Sequence, residues 1–197
     1  MIGSPSKKKV LATPNSILWE FYAILLHQVE LAAQASEPKQ KRRMVATCII
    51  LSVTLVETFL NIYFRIVASE QQFAHASTTI LEDLRNQSSL EYKIKEWPRL
   101  AFGVSIDFGQ GVGQEFISLK DDRNWLMHFS STYESVKVDH ITIQGLSNIS
   151  RYESFDRYNP NRTVAIAEGI IIEIFKLRGM TPGQGPPTLL QWLGKTH

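Results

Sequence analysis

Twelve successive positions, Val45 to Val56, are nearly all apolar, and the run gives way to Glu57, Asn61 and Arg65, spaced four apart. Residues four apart lie on one face of an α-helix, so the apolar run and the polar residues after it belong to one long helix carrying a polar stripe near its end. Crossing a bilayer takes about 20 apolar residues, and ionisable side chains within a span are costly. The run is too short for that, although Lys39–Arg43 would suit the flank of a span. The segment reads as the buried central helix of a soluble bundle, with no membrane partner. Glu57 precedes Asn61 by four residues, which suits a local polar pairing.

The rest of the chain supplies helices to surround it. Thr13-Pro14 resembles a cap followed by a first helical residue. Ile17, Phe21, Ile24, Leu25 and Val29 then mark an apolar stripe on a helix running to about Ala35. Pro38 opens the long central helix, which runs to about Ala68. Residues 77 to about 96 form a third helix, with Asn86–Ser89 able to bend or break it and Pro98 to end or kink it. Gly103 to Gly113 reads as a loop, and a fourth helix covers about 114–134. Residues 136–150 alternate in character and suit a small β-hairpin or an extended insert. Asn159-Pro160 opens a fifth helix that stops at Gly179. The expected fold is all-α, a bundle of about five helices over residues 13–179. A flexible basic tail at 1–12 precedes it, and a Gly/Pro linker with a short docked segment at 180–197 follows.

At 197 residues the chain is long enough to bury a core without staples. Its one cysteine, Cys48, rules out an intrachain disulfide and cysteine-based zinc sites. The histidines show no metal-ligand spacing, so no metal and no cofactor are expected. Gly109-x-Gly111-x-Gly113 lacks the lysine of a phosphate loop and reads as a turn. Residues 1–43 carry seven Lys/Arg against three Glu, whereas the remainder carries 14 against 16 acids. A modestly basic end favours RNA or an anionic surface, though a solvated tail has the same composition. Thr13–Ser16 interrupts any signal-peptide stretch after Met1–Lys9, so the expected location is cytoplasmic.

Chemistry concentrates in Asp121-Asp122-Arg123-Asn124-Trp125-Leu126-Met127-His128. A guanidinium presents a planar donor fork to phosphate, and an imidazole moves protons at neutral pH. Asn124 and His128 share a helix face. Arg123 and His128 are five apart, about 140° around a helix, so one helix does not aim both at one phosphate. Two copies facing each other across a dimer would. Trp125, Leu126 and Phe129 would pack the opposite face. From spacing alone the better fit is an exposed arginine paired with Asp121 or Asp122, with His128 capped by its neighbours.

Arg123-Asn124-x-x-x-His128 resembles the Arg-x4–6-His signature of the HEPN superfamily (higher eukaryotes and prokaryotes nucleotide-binding). The apolar second helix with Glu57, the Lys93–Pro98 stretch and the apolar final helix resemble that family's order of elements. The resemblance implies a helical dimer with a composite site and, in many members, a metal-independent endoribonuclease of toxin–antitoxin or antiphage systems. It implies that Arg123 polarises the scissile phosphate, that His128 assists proton transfer as the 2′-OH attacks to leave a 2′,3′-cyclic phosphate, and that Asn124 orients the phosphate or the histidine. RNA is then the substrate, without DNA specificity, and an antitoxin or other protein is a further partner. Some toxins of the family carry a modified tyrosine two residues after the histidine, where this chain has Ser130. A non-catalytic module binding a partner protein or nucleotide is the alternative the same resemblance carries.

Overall fold

The computed structural model describes residues 13–128, 133–138 and 140–194. The basic tail at 1–12, Phe129 and Ser130 lie outside them. The described residues form an all-α bundle with one small hairpin. Its helices are α1 (Ser16–Gln34), α2 (Pro38–Val67), α3 (Ala74–Arg85), α4 (Leu90–Phe102), α5 (Gly111–His128), α6 (Ser150–Glu153), α7 (Pro160–Leu177) and α8 (Gly185–Trp192). The hairpin pairs β1 (Tyr133–Val138) with β2 (Ile141–Ser147), antiparallel, with Val138 opposite Ile141 and Val136 opposite Ile143.

α2 is the axis. It packs most extensively on α1 and α7 and also touches α3, α4 and α5. By length and composition it is the one described helix able to cross a membrane, yet more than half of its most apolar stretch is buried inside the bundle. Its Phe59 and Tyr63 rings stack 5.0 Å apart and meet Phe175 of α7 and Trp192 of α8 edge-on. Aromatic pairs in such geometry add about 0.5–1.5 kcal/mol each beyond area burial, which is how the short last helix is held to the core.

Five helices were expected, and the third of them is two. Asn86 caps α3, Gln87 takes a left-handed conformation (φ 53°), and the Ser88 N–H donates to the Asp83 carbonyl at 3.0 Å, a helix-ending arrangement of the Schellman type. The Asp83 carboxylate then accepts from Ser88 Oγ at 3.1 Å and from the Trp97 indole N–H at 3.0 Å, tying the break to α4. Ser89 caps α4 by accepting from the Tyr92 N–H. Pro98 does not end this helix. It lies buried inside α4, which runs on to Gly103 at φ 76°. Burial of Trp97 and Ala101 on either side outweighs the hydrogen bond proline forfeits.

Other boundaries also move. α1 starts at Ser16 with Asn15 in the cap position, not at Pro14. Its inward face is Leu18, Tyr22, Leu25, Val29 and Ala32, while Ile17 and Ile24 stay 44% and 46% exposed. Two apolar stripes overlap on this helix, and contact with α2 and α7 selects between them. Tyr22 belongs to the chosen stripe, donating its hydroxyl to Glu168 of α7; burial and that carboxylate push its pKa up. α5 begins at Gly111, inside the expected loop, its described residues run to His128, and Tyr133, expected in the same helix, opens β1.

Candidate functional site

Three helices bring charge to one place. Glu57 stands on α2 just past the apolar run. Lys93 comes from α4 and Arg123 from α5, and both meet the Glu57 carboxylate. Lys93 Nζ lies 3.4 Å from Oε1, and the Arg123 guanidinium lies 3.5 Å from Oε2. The local pairing expected between Glu57 and Asn61 gives way to these cross-helix ion pairs. Both contacts are long for charge-assisted hydrogen bonds, which favour about 2.7–2.9 Å.

Lys93 is only 5% exposed and Lys120, one turn before Arg123 on α5, only 7%. Lys120 Nζ reaches Glu91 Oε2 at 2.8 Å, and Lys95 Nζ takes the other oxygen at 2.8 Å. Those two ammonium groups hold the Glu91 carboxyl well below its ordinary value, at about 2. Glu91 is therefore fully engaged, while Glu57 is shared loosely between two cations. The Arg123 Nε and the Asn61 Oδ1 are buried with no hydrogen-bond partner among the described residues, an arrangement native proteins rarely tolerate without a reason.

Neither aspartate beside Arg123 pairs with it. Asp121 lies 3.5 Å from Lys120, and Asp122 accepts from Arg151 at 2.6 and 2.8 Å. The Arg151 guanidinium covers the Trp125 ring, which meets Phe155 edge-on. Asp122 and Trp125 thus dock α5 on the segment after the hairpin, on the side of the helix away from Arg123. The arginine is left to face α2.

The result is a cleft with two lobes that share Glu57 and Gln87. The first, of about 330 Å³, is walled by Arg123, Asn124, Lys120 and the start of α4. The second, of about 390 Å³, runs over Asn61 and Arg65 beneath Lys93. Arg123 and Asn124 therefore come together in one lobe. His128 does not join them: it is exposed at the last residue of α5 and lines neither lobe. The offset of about 140° read from the sequence is kept within one chain. Among the described residues no three His, Cys, Asp or Glu side chains gather into a metal-binding group.

Lys120 and the cleft-wall role of Lys93 and Gln87 were not singled out by sequence reasoning. Lys120 carried a weak signal, since it stands three residues before Arg123 and shares its face. Nothing in the sequence pairs α4 with α2, so the position of Lys93 had no local signature. Compared with protein-family models, with curated proteins and with solved structures, the chain matches none.

Proposed function

We propose that this protein is a metal-independent endoribonuclease of the HEPN type, cytoplasmic, acting as a homodimer whose site draws on both copies. The observation that carries the reading is the Arg123 guanidinium. It lines the cleft beside Asn124 with 21% of its side chain exposed, and its contact with Glu57 Oε2 is long, at 3.5 Å. A phosphate oxygen can take the place of that long contact in the planar geometry an arginine fork favours.

Cleavage needs a base at the 2′-OH and an acid at the leaving oxygen. The 2′-oxygen bonds to phosphorus, the bond from phosphorus to the 5′-oxygen breaks, and one proton passes from the first oxygen to the second. The exposed His128 of one copy carries that proton at the Arg123 lobe of its partner, and Arg123 neutralises the charge that grows on the phosphate oxygens. Asn124 orients the phosphate. RNA is required because the nucleophile is its 2′-OH. A toxin or antiphage role, with an antitoxin or other protein as partner, follows from the family resemblance.

A non-catalytic binding module is the competing reading. It is favoured by Glu57, which already occupies Arg123, and by the absence of His128 from the cleft. Incubation of purified protein with RNA in EDTA separates the two. The nuclease reading expects fragments ending in 2′,3′-cyclic phosphate and a loss of at least about 100-fold in rate for Arg123→Ala and His128→Ala. Intact RNA in the presence of folded, dimeric wild-type protein rejects it.

A further inference from the structure

The polar stripe Glu57, Asn61 and Arg65 has a use that the Arg123 site alone does not absorb. Four residues apart on α2, the three side chains line the floor of the cleft for about 12 Å of helix. Four cations border the two lobes, Arg65, Lys93, Lys120 and Arg123, against two carboxylates, Glu57 and Glu91. Lys95 and Lys120 engage Glu91 closely, which leaves the excess positive charge along the line from Arg123 through Lys93 to Arg65. The ammonium of Lys93 is desolvated but has, among the described residues, one carboxylate contact, at 3.4 Å, for its three donors. Buried charge of this kind is costly when underpaired. Gln87 lines both lobes.

We infer that the cleft is a channel for single-stranded RNA, in which Lys93 and Arg65 hold the phosphate next to the one at Arg123. The inference rests on the ribonuclease reading for the identity of the strand. Each lobe falls at the small end of pocket volumes that hold one compact ligand, so the two accept successive nucleotides of one strand. A duplex, with both backbones and paired bases, is larger than either lobe.

The test is fluorescence anisotropy with a single-stranded RNA whose riboses are all 2′-O-methylated, so that binding is read without cleavage. Wild type is compared with Lys93→Met and Arg65→Gln over a salt series. Each variant is expected to bind at least about 5-fold more weakly at physiological salt. Each should also lower the slope of log affinity against log salt by about 0.7, the loss of one single-strand phosphate contact. The same sequence as a duplex should compete poorly. Arg65 is exposed, so its variant remains informative if Lys93→Met does not fold. Unchanged affinity and slope in folded Arg65→Gln, equal binding of the duplex, or no binding of the single strand overturns the channel. Binding that depends on Arg65 and Lys93, with unmodified RNA left uncut by wild type, keeps the channel and rejects the ribonuclease. Cleavage by wild type with variants that bind as well as wild type does the reverse.

Discussion

Removing Glu57 should cost far more stability than removing Arg123, although each substitution breaks the same ion pair. The carboxylate stands between Lys93 at 3.4 Å and Arg123 at 3.5 Å, with side-chain exposures of 33% for Glu57, 6% for Lys93 and 21% for Arg123. Glu57→Gln leaves two cations facing one another, one of them almost wholly desolvated. Arg123→Met leaves Lys93 still paired with Glu57. Breaking a fully buried pair costs about 3–5 kcal/mol and an exposed pair about 0–1. The half-open cleft lies between those limits, so Glu57→Gln should cost about 1.5–3 kcal/mol and Arg123→Met less than about 1. Urea unfolding followed by tryptophan fluorescence reads the difference as a shift in midpoint at constant slope. For a chain of this size the larger cost corresponds to a fall in melting temperature of roughly 3–12 °C. The double variant Glu57→Gln/Lys93→Met should recover at least about 1 kcal/mol of the Glu57→Gln loss, since it removes the stranded cation. Equal costs for Glu57→Gln and Arg123→Met, or no recovery in the double variant, would refute the reasoning.

Gly113→Ala should destabilise the start of α5 by about 1–3 kcal/mol. A Cβ there would lie 2.0 Å from the Asp107 carbonyl oxygen, a backbone atom with no rotamer to yield. Gly183→Ala, where a Cβ meets nothing within 4 Å, is the control and should change the unfolding free energy by less than about 0.5 kcal/mol; similar costs for both would dismiss the clash. Burial pushes the Cys48 thiol up to about 11 from an ordinary value of 9.0. With the folded value raised, its contribution to stability is complete below about pH 9 and fades as pH rises through 11. Iodoacetamide at pH 8.5 should leave Cys48 unmodified in native protein and alkylate it readily in urea. Rapid alkylation of the native chain would contradict the burial.

The parts of the fold legible in the sequence are those governed by local pattern. The apolar run of α2 and the proline starts at Pro38 and Pro160 follow from hydrophobic periodicity and backbone sterics, and the hairpin follows from the short alternation around Val136 to Ile143. The split of α3 from α4 is less legible, because Asn86-Gln87-Ser88-Ser89 breaks a helix only when something holds the break. Here that is Asp83, which is bonded to Ser88 and Trp97. Pro98 misleads for the complementary reason, as the packing of its neighbours overrides a local penalty.

The sequence by itself determined an all-α chain built around one long central helix, and a segment where a guanidinium, an amide and an imidazole fall within six residues. It also placed Glu57, Asn61 and Arg65 on one face, because helical geometry alone dictates that. Only the tertiary structure decided which stripe of α1 turns inward, that Asp121 and Asp122 turn to Lys120 and Arg151, and that Arg123 therefore turns to Glu57. It alone carried Lys93, from a helix 36 residues further along the chain, to the same carboxylate. The reason is physical. A helix face is a property of spacing along the chain, whereas the partner of a charge is chosen by which faces the packing of the bundle brings together and withdraws from water.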